Sequence, residues 1–294
     1  MSTLLPQSLL VAGAIAWGLG WLPLRHFASI GLVGMPLVLL VYGVLSLIAI
    51  PVLWRERNAW RPQRNGLLAI AVCGGGATAA LVTALAIGEV VRVMLLFYLA
   101  PVWGVLGGWL VLGERLTLLR IVALLLAMLG IAMTLGISNE LIQPLSGSDW
   151  LALAAGLGFS LNNLATRAAD GVPLASKTLA PFAGSALIAA LLCPALDEYP
   201  PPLNVELSWQ IGLMALGWLL SMAAVQYGVS HIEAGRAAVL VVFELVAAVL
   251  SSAWLGEQVI GIHEWGGAAL VTFAALIASW PERPALTAIR SPSI

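Results

Sequence analysis

One carboxylate stands where an apolar chain has least use for it. Glu244 sits inside Val241-Val242-Phe243-Glu244-Leu245-Val246, a run without Lys or Arg. A charged Asp at the centre of a membrane helix costs about 2.5–3.5 kcal/mol on insertion scales. Glu244 must therefore face a wet cavity, meet a polar partner or carry a proton. It could couple transport to protons, or attract the amino group of a substrate or a cationic drug. A protonated Glu bonded to a neighbouring helix is the structural alternative. Asn162 and Asn163 form a second polar point in an apolar run. Neighbouring helical residues point about 100° apart, so only one of the two can face a given cavity. Its amide could recognise a carboxylate or an amino group, or bond another helix. Trp17, Tyr42, Tyr98, Trp103 and Trp218 lie at or near the centres of apolar runs. Deep aromatic walls stack against flat solutes and hold cations on their π faces, or pack as ordinary core. Pro101, one turn after Tyr98, removes a backbone donor and predicts a kink and a hinge. Gln226 and Tyr227 fall nearer a run's end and read as interface or gate.

Other chemistries lack their residues. His263-Glu264 has no second His four residues after His263, so it is no zinc-protease motif. Gly228-Val229-Ser230 begins like a nucleophile elbow, but Ile232 stands where the second Gly should be. No phosphate-binding GxxxxGK[ST] loop is present. Two cysteines, Cys73 and Cys193, make neither a disulfide framework nor a zinc site. No catalytic residue, metal or cofactor is expected, and the chain is not read as an enzyme. A membrane-embedded enzyme remains the distant alternative.

The elements that hold these side chains follow from composition. Of 294 residues, 61% are hydrophobic and 9% charged, with a mean hydropathy of +1.01. A soluble domain is roughly a quarter charged, so this chain belongs in a bilayer and has no nucleic-acid partner. A spanning helix needs roughly 20 apolar residues. Ten such runs are present, about 4–24, 33–54, 66–88, 91–112, 118–137, 149–169, 174–194, 208–230, 234–255 and 261–280. Trp54, Trp60, Trp150, Trp209, Trp265 and Trp280 fall near run ends, as interfacial anchors do. Pro200-Pro201-Pro202 reads as a stiff surface strap.

Charge placement orients the chain. With ten spans both termini share a side, and that side carries Arg55, Arg57, Arg61, Arg64, Arg115, Arg120, Arg167, Lys177, Arg236, Arg283 and Arg290. Only Arg25 and Arg92 fall opposite. Cations concentrate on the cytoplasmic side, so both termini are expected there, in a multi-pass cell (inner or plasma) membrane protein. No Lys or Arg lies at a span centre, which disfavours phosphate-bearing substrates.

The two halves repeat. Pro101-Val102-Trp103-Gly104 leads, 13 residues after Pro101, to Glu114 in Leu112-Gly113-Glu114; Glu244 leads in the same way to Glu257 in Leu255-Gly256-Glu257. Glu89-Val90-Val91-Arg92 matches Glu233-Ala234-Gly235-Arg236. Trp17-Gly18 and Arg25 match Phe159-Ser160 and Arg167, and Gly34-Met35-Pro36-Leu37 matches Gly171-Val172-Pro173-Leu174. Five spans per copy is odd, so the second copy enters from the opposite side. The expectation is an all-α integral membrane protein of ten transmembrane helices in two inverted five-helix repeats. The first repeat is 1–137, a linker is 138–148, the second repeat is 149–280 and a cytoplasmic tail is 281–294.

These motifs, over about residues 5–280, resemble the drug/metabolite transporter superfamily, the EamA-type permeases in particular, and within them the YddG-type exporters of aromatic amino acids. The resemblance implies a secondary transporter of small metabolites, often an exporter. The second half departs from the pattern at Glu244 and at Phe159-Ser160, so the halves contribute different chemistry. The reading is an exporter of small amphipathic metabolites, aromatic amino acids first, by alternating access around a midplane site. Its substrate-binding residues would be Trp17, Tyr42, Tyr98, Trp103, Asn162, Asn163, Trp218 and Glu244, with Pro101 as hinge. Its partners would be the solute, the lipid bilayer and, as a candidate coupling ion, the proton. An exporter of cationic aromatic drugs is the alternative.

Overall fold

The computed structural model describes residues 4–112, 118–134, 144–231, 240–241, 243–255 and 261–278. Among these residues the regular structure is helical, as lipid demands of a chain that must satisfy its own backbone. Among the described residues, helix is found within each of the ten apolar runs. Five helical runs are long and apolar enough to cross a membrane: Leu4–Ser29, Gly34–Arg55, Arg57–Ile87, Leu174–Ala195 and Val205–Val225. Gly113, Glu114, the segment 233–236, Gly256 and Glu257 carry part of the repeat and lie outside the described residues. So do 138–143 of the linker, the 281–294 tail, and the side chains of Pro101 and Gln226.

Two expected spans are broken. The first divides into α1 (Leu4–Gly18) and α2 (Trp21–Ser29). A Cβ on Gly18 would stand 2.3 Å from the carbonyl oxygen of Glu244, so only glycine fits there. Pro23 falls in the first turn of α2, where a missing N–H breaks no helical bond. After α3 (Gly34–Arg55), the short α4 (Arg57–Trp60) and a 3-10 turn lead into α5 (Arg64–Ile87). The fourth span divides into α6 (Val90–Phe97) and α7 (Ala100–Leu112). Where Pro101 predicts a kink, the helix stops at Tyr98 and restarts with Pro101 in the first turn of α7. A proline there cannot continue the preceding helix but starts a new one readily.

The remaining helices are α8 (Leu118–Thr134), α9 (Gly147–Ala168), α10 (Leu174–Ala195), α11 (Val205–His231), α12 (Phe243–Leu255) and α13 (Ile262–Ala278). Helix α9 opens on a capping box, in which Ser146 and Asp149 satisfy each other's backbone N–H. The Asn204 side chain accepts the Leu207 N–H at 2.7 Å and starts α11. The exposed Pro200–Pro202 run has no regular structure.

Packing pairs the helices in matching ways. Helix α5 lies on α9, and α1 on α11; α5 lies on α10, and α3 on α11. Helices α6 and α7 lie on α9, and α1 on α12; α3 meets α10, and α8 meets α13. Glycines set the closest approaches. A Cβ on Gly184 would reach within 2.0 Å of the Ala71 carbonyl oxygen, and one on Gly75 within 2.5 Å of the Gly184–Ser185 backbone. Small residues at such crossings let apolar helices gain van der Waals contact in lipid. One contiguous core includes Leu24, Leu37, Tyr42, Leu95 and Leu245.

Candidate functional site

Near the centre of this core, helices from both halves bring aromatic and polar side chains together. The Trp17 and Trp218 rings meet edge to face, 5.5 Å apart at 84°. Such T-shaped pairs place a positive ring edge on a negative face. On α3, Tyr42 is 1% exposed, and its ring lies 6.0 Å from that of Phe182 on α10. Its hydroxyl lies beside the Trp218 indole, which is 7% exposed. Yet neither the Tyr42 hydroxyl nor the Trp218 Nε1 completes a hydrogen bond of good geometry among the described residues. Native interiors rarely leave buried polar atoms unpaired, and such atoms call for a water or a ligand.

Glu244 is positioned by the break between α1 and α2. Gly18 lets α1 press against the Glu244 backbone, which brings the first helix of the chain onto α12. Tyr98, at the end of α6, hydrogen-bonds the Glu244 carboxyl with its hydroxyl. The helix break at Tyr98–Leu99 puts this ring at the C-terminal end of α6. Ring contacts continue from Tyr98 to Phe97 at 5.8 Å and from Phe97 to Phe159 on α9 at 5.6 Å.

The other expected residues lie around this group. Asn162 packs at the junction of α5, α9 and α10; a Cβ on Gly74 would stand 2.8 Å from its Oδ1 and 2.9 Å from Pro181. That Oδ1 is buried without a partner among the described residues, as is Nε1 of the partly buried Trp103 on α7. Asn163 points the other way and is exposed. The structure thus brings Trp17, Tyr42 and Trp218 together and, as a second group, Tyr98 and Glu244; Gly18, next to Trp17, packs on the Glu244 backbone. Asn162 is set one residue from Phe182 through Pro181, and Asn163 lies apart.

Sequence reasoning passed over Phe182 and Trp21, and marked Ser160 only as a departure from the repeat. Phe182 walls Tyr42; it follows Pro181 at the centre of its span, a signal like that of Pro101 beside Tyr98. Trp21 donates from Nε1 to the Ser251 hydroxyl at 2.9 Å, tying α2 to α12. Ser160 donates from its hydroxyl to the Ala100 carbonyl, next to Pro101. Its place opposite Gly18 in the repeat was the available clue.

One end of the molecule is tied by its two isolated cations. Arg92 holds Asp149 with two hydrogen bonds of 2.8 Å. Arg25 donates to the Gly88 carbonyl, joining α2 to the end of α5. At the opposite end the Glu56 carboxylate accepts the Ser176 hydroxyl at 2.6 Å and the Ser176 N–H at 3.1 Å. Both cysteines are free thiols. Among the described residues no three His, Cys, Asp or Glu side chains converge as a metal site requires.

Comparison with known proteins bears on this arrangement. Residues 5–136 match the EamA-like transporter family. The match covers α1 through α8, a little less than half of the chain. A solved structure, known only as the crystal structure of a protein, is similar over 93% of this chain and 97% of its own, with a TM-score of 0.61 and 20% identity. Likeness at that identity shows the fold alone, and it carries the likeness beyond the EamA-like half. No curated protein matches the chain. Five helices long and apolar enough to cross a membrane indicate a multi-pass membrane protein.

Proposed function

We propose that this EamA-like chain is a secondary transporter that exports small amphipathic metabolites, aromatic amino acids first, by alternating access. The observation that carries the reading is the central cluster. Among the described residues two buried donors, the Tyr42 hydroxyl and the Trp218 Nε1, lack partners beside the Trp17–Trp218 ring pair, and Gly18, next to Trp17, packs on the backbone of Glu244, the partner of Tyr98. An α-amino acid presents the complementary set: a carboxylate for the donors, an ammonium for Glu244 and a flat side chain for the rings. Paired packing of the helices supports two inverted five-helix repeats with this cluster between them. In that reading the repeat's departures meet crosswise: Gly18 packs on Glu244, and its counterpart Ser160 bonds Ala100 beside Pro101. Both termini lie in the cytoplasm, by the eleven cations on that side, and Pro101 marks a hinge.

Flux into proteoliposomes from a panel of Trp, Phe, Tyr, aromatic cations and sugar phosphates tests the proposal. Uptake of the aromatic amino acids is expected, and a pH gradient will speed it if protons are coupled. Uptake of sugar phosphates without Trp, Phe or Tyr would overturn it. Preference for aromatic cations lacking a carboxylate would instead favour drug export, which the Glu244 carboxyl also suits.

A further inference from the structure

In the repeat reading α3 and α5 correspond to α10 and α11, yet the two pairs differ. Helix α3 packs on α5, and α2 covers α5 further, with Arg25 bound to Gly88. Helices α10 and α11 instead stand apart around a groove of about 420 Å³. That volume lies within the range of about 300–1,000 Å³ usual for small-molecule sites. The groove runs between the start of α10, including Thr178 and Phe182, and the end of α11, including Leu219, Met222, Tyr227 and His231. At its inner end Phe182 is the residue against which Tyr42 rests, and Leu219 follows Trp218. At its outer end the Tyr227 and His231 rings stack 4.1 Å apart at 28°, and both are exposed. Apolar walls therefore lead from an aromatic, polar mouth to buried donors without partners among the described residues.

We infer that this groove is the port through which solute passes between the cytoplasm and the central cluster, with Tyr227 and His231 at its mouth. The inference rests on the transporter reading above and assigns it a route. The mouth lies at the end where Glu56 binds Ser176, the end of the cytoplasmic cations. In the corresponding pair, α3 packs directly on α5, and at the far end Arg25 ties α2 to the end of α5 while Arg92 ties α6 to α9. The route suits a flat solute with one charged end, which slides along Met222 and Leu219 and passes aromatic faces at both ends.

Single cysteines test the route in a Cys73→Ala, Cys193→Ala background. Thr178→Cys probes the groove, Asn58→Cys marks the mouth's side and Ser29→Cys the opposite side. A membrane-impermeant maleimide should modify Thr178→Cys from the side that modifies Asn58→Cys. Complete modification should then cut flux about tenfold or more, as blockage of an obligatory access step does; modified Asn58→Cys should keep its flux. Modification only from the Ser29→Cys side, or only by a lipid-soluble maleimide, would overturn the port, the latter making the groove a lipid site. Undiminished flux through fully modified Thr178→Cys would overturn it too. Sided labelling that aromatic amino acids fail to slow would leave the port standing and sink the substrate assignment.

Discussion

The hydroxyl of Tyr42 and the carboxyl of Glu244 make opposite predictions about stability and function. Because the Tyr42 hydroxyl has no partner among the described residues, Tyr42→Phe removes a desolvated group without breaking a bond seen there. Thermal melting in detergent should stay the same or rise slightly, while the KM for aromatic amino acids rises; a drop in melting temperature with unchanged KM would assign the hydroxyl to structure. Tyr98→Phe keeps the ring and removes a hydrogen bond to a carboxyl, worth about 1.5–3 kcal/mol when its partner is charged. Transport should fall by about tenfold or more, at 1.4 kcal/mol per tenfold. Glu244→Gln preserves size and should depress flux of amino-bearing solutes by a similar factor. If Glu244→Gln transports every substrate normally at all pH values, the carboxyl is structural. Asn162 and Asn163 could not be separated by their letters. Only the packing of α9 turned one inward, with an unpaired Oδ1, and left the other exposed.

At the scale of the helix, breaks matter more than lengths. Each break sits at a residue visible in the sequence, Gly18 or Pro101, yet its form was not. Pro101 announces a kink, but whether the helix bends or stops depends on what fills the gap. Here the Ala100 carbonyl receives the Ser160 hydroxyl, and Tyr98 turns to Glu244. Close crossings give a sharper prediction. Gly184→Ala would drive a methyl into the Ala71 carbonyl, so α5 and α10 must separate. Overpacking of this kind costs about 1–3 kcal/mol. A lower melting temperature is expected, together with altered flux, because α10 also walls the groove. Gly104→Ala, whose added methyl meets nothing within 4 Å beyond its own helix among the described residues, should melt no lower than the parent does.

Across the whole molecule, Arg92 and Asp149 tie the first half to the second. The Asp149 side chain is 1% exposed and that of Arg92 18%, so the pair is far drier than a surface salt bridge. Removing one member of a buried pair is strongly destabilising, about 3–5 kcal/mol at full burial and less here. Asp149→Asn should therefore lower the melting temperature clearly. Arg92→Lys, which keeps the charge but loses the bidentate fork, should fall between it and the parent. Equal stability of all three would mean that the pair contributes nothing to holding the halves. The two cations were legible as exceptions on their side of the membrane. What the sequence did not reveal was that they bind across elements.

The amino-acid sequence by itself determined the solvent, the helices and their approximate limits. A chain 61% hydrophobic must lie in lipid, and a backbone in lipid must bond to itself. It also determined which residues were anomalous, since Glu244, Asn162 and the deep aromatics stand out against an apolar background. Only the tertiary structure decided which of them meet. In a soluble helix the polar face shows which side turns outward. Here lipid-facing and core-facing residues are both apolar, so no periodicity says which side of α1, α3 or α11 turns inward. Helix packing supplied that choice, through glycines that fix how closely backbones approach, and it set Trp17 on Trp218, Tyr42 on Phe182 and Tyr98 on Glu244.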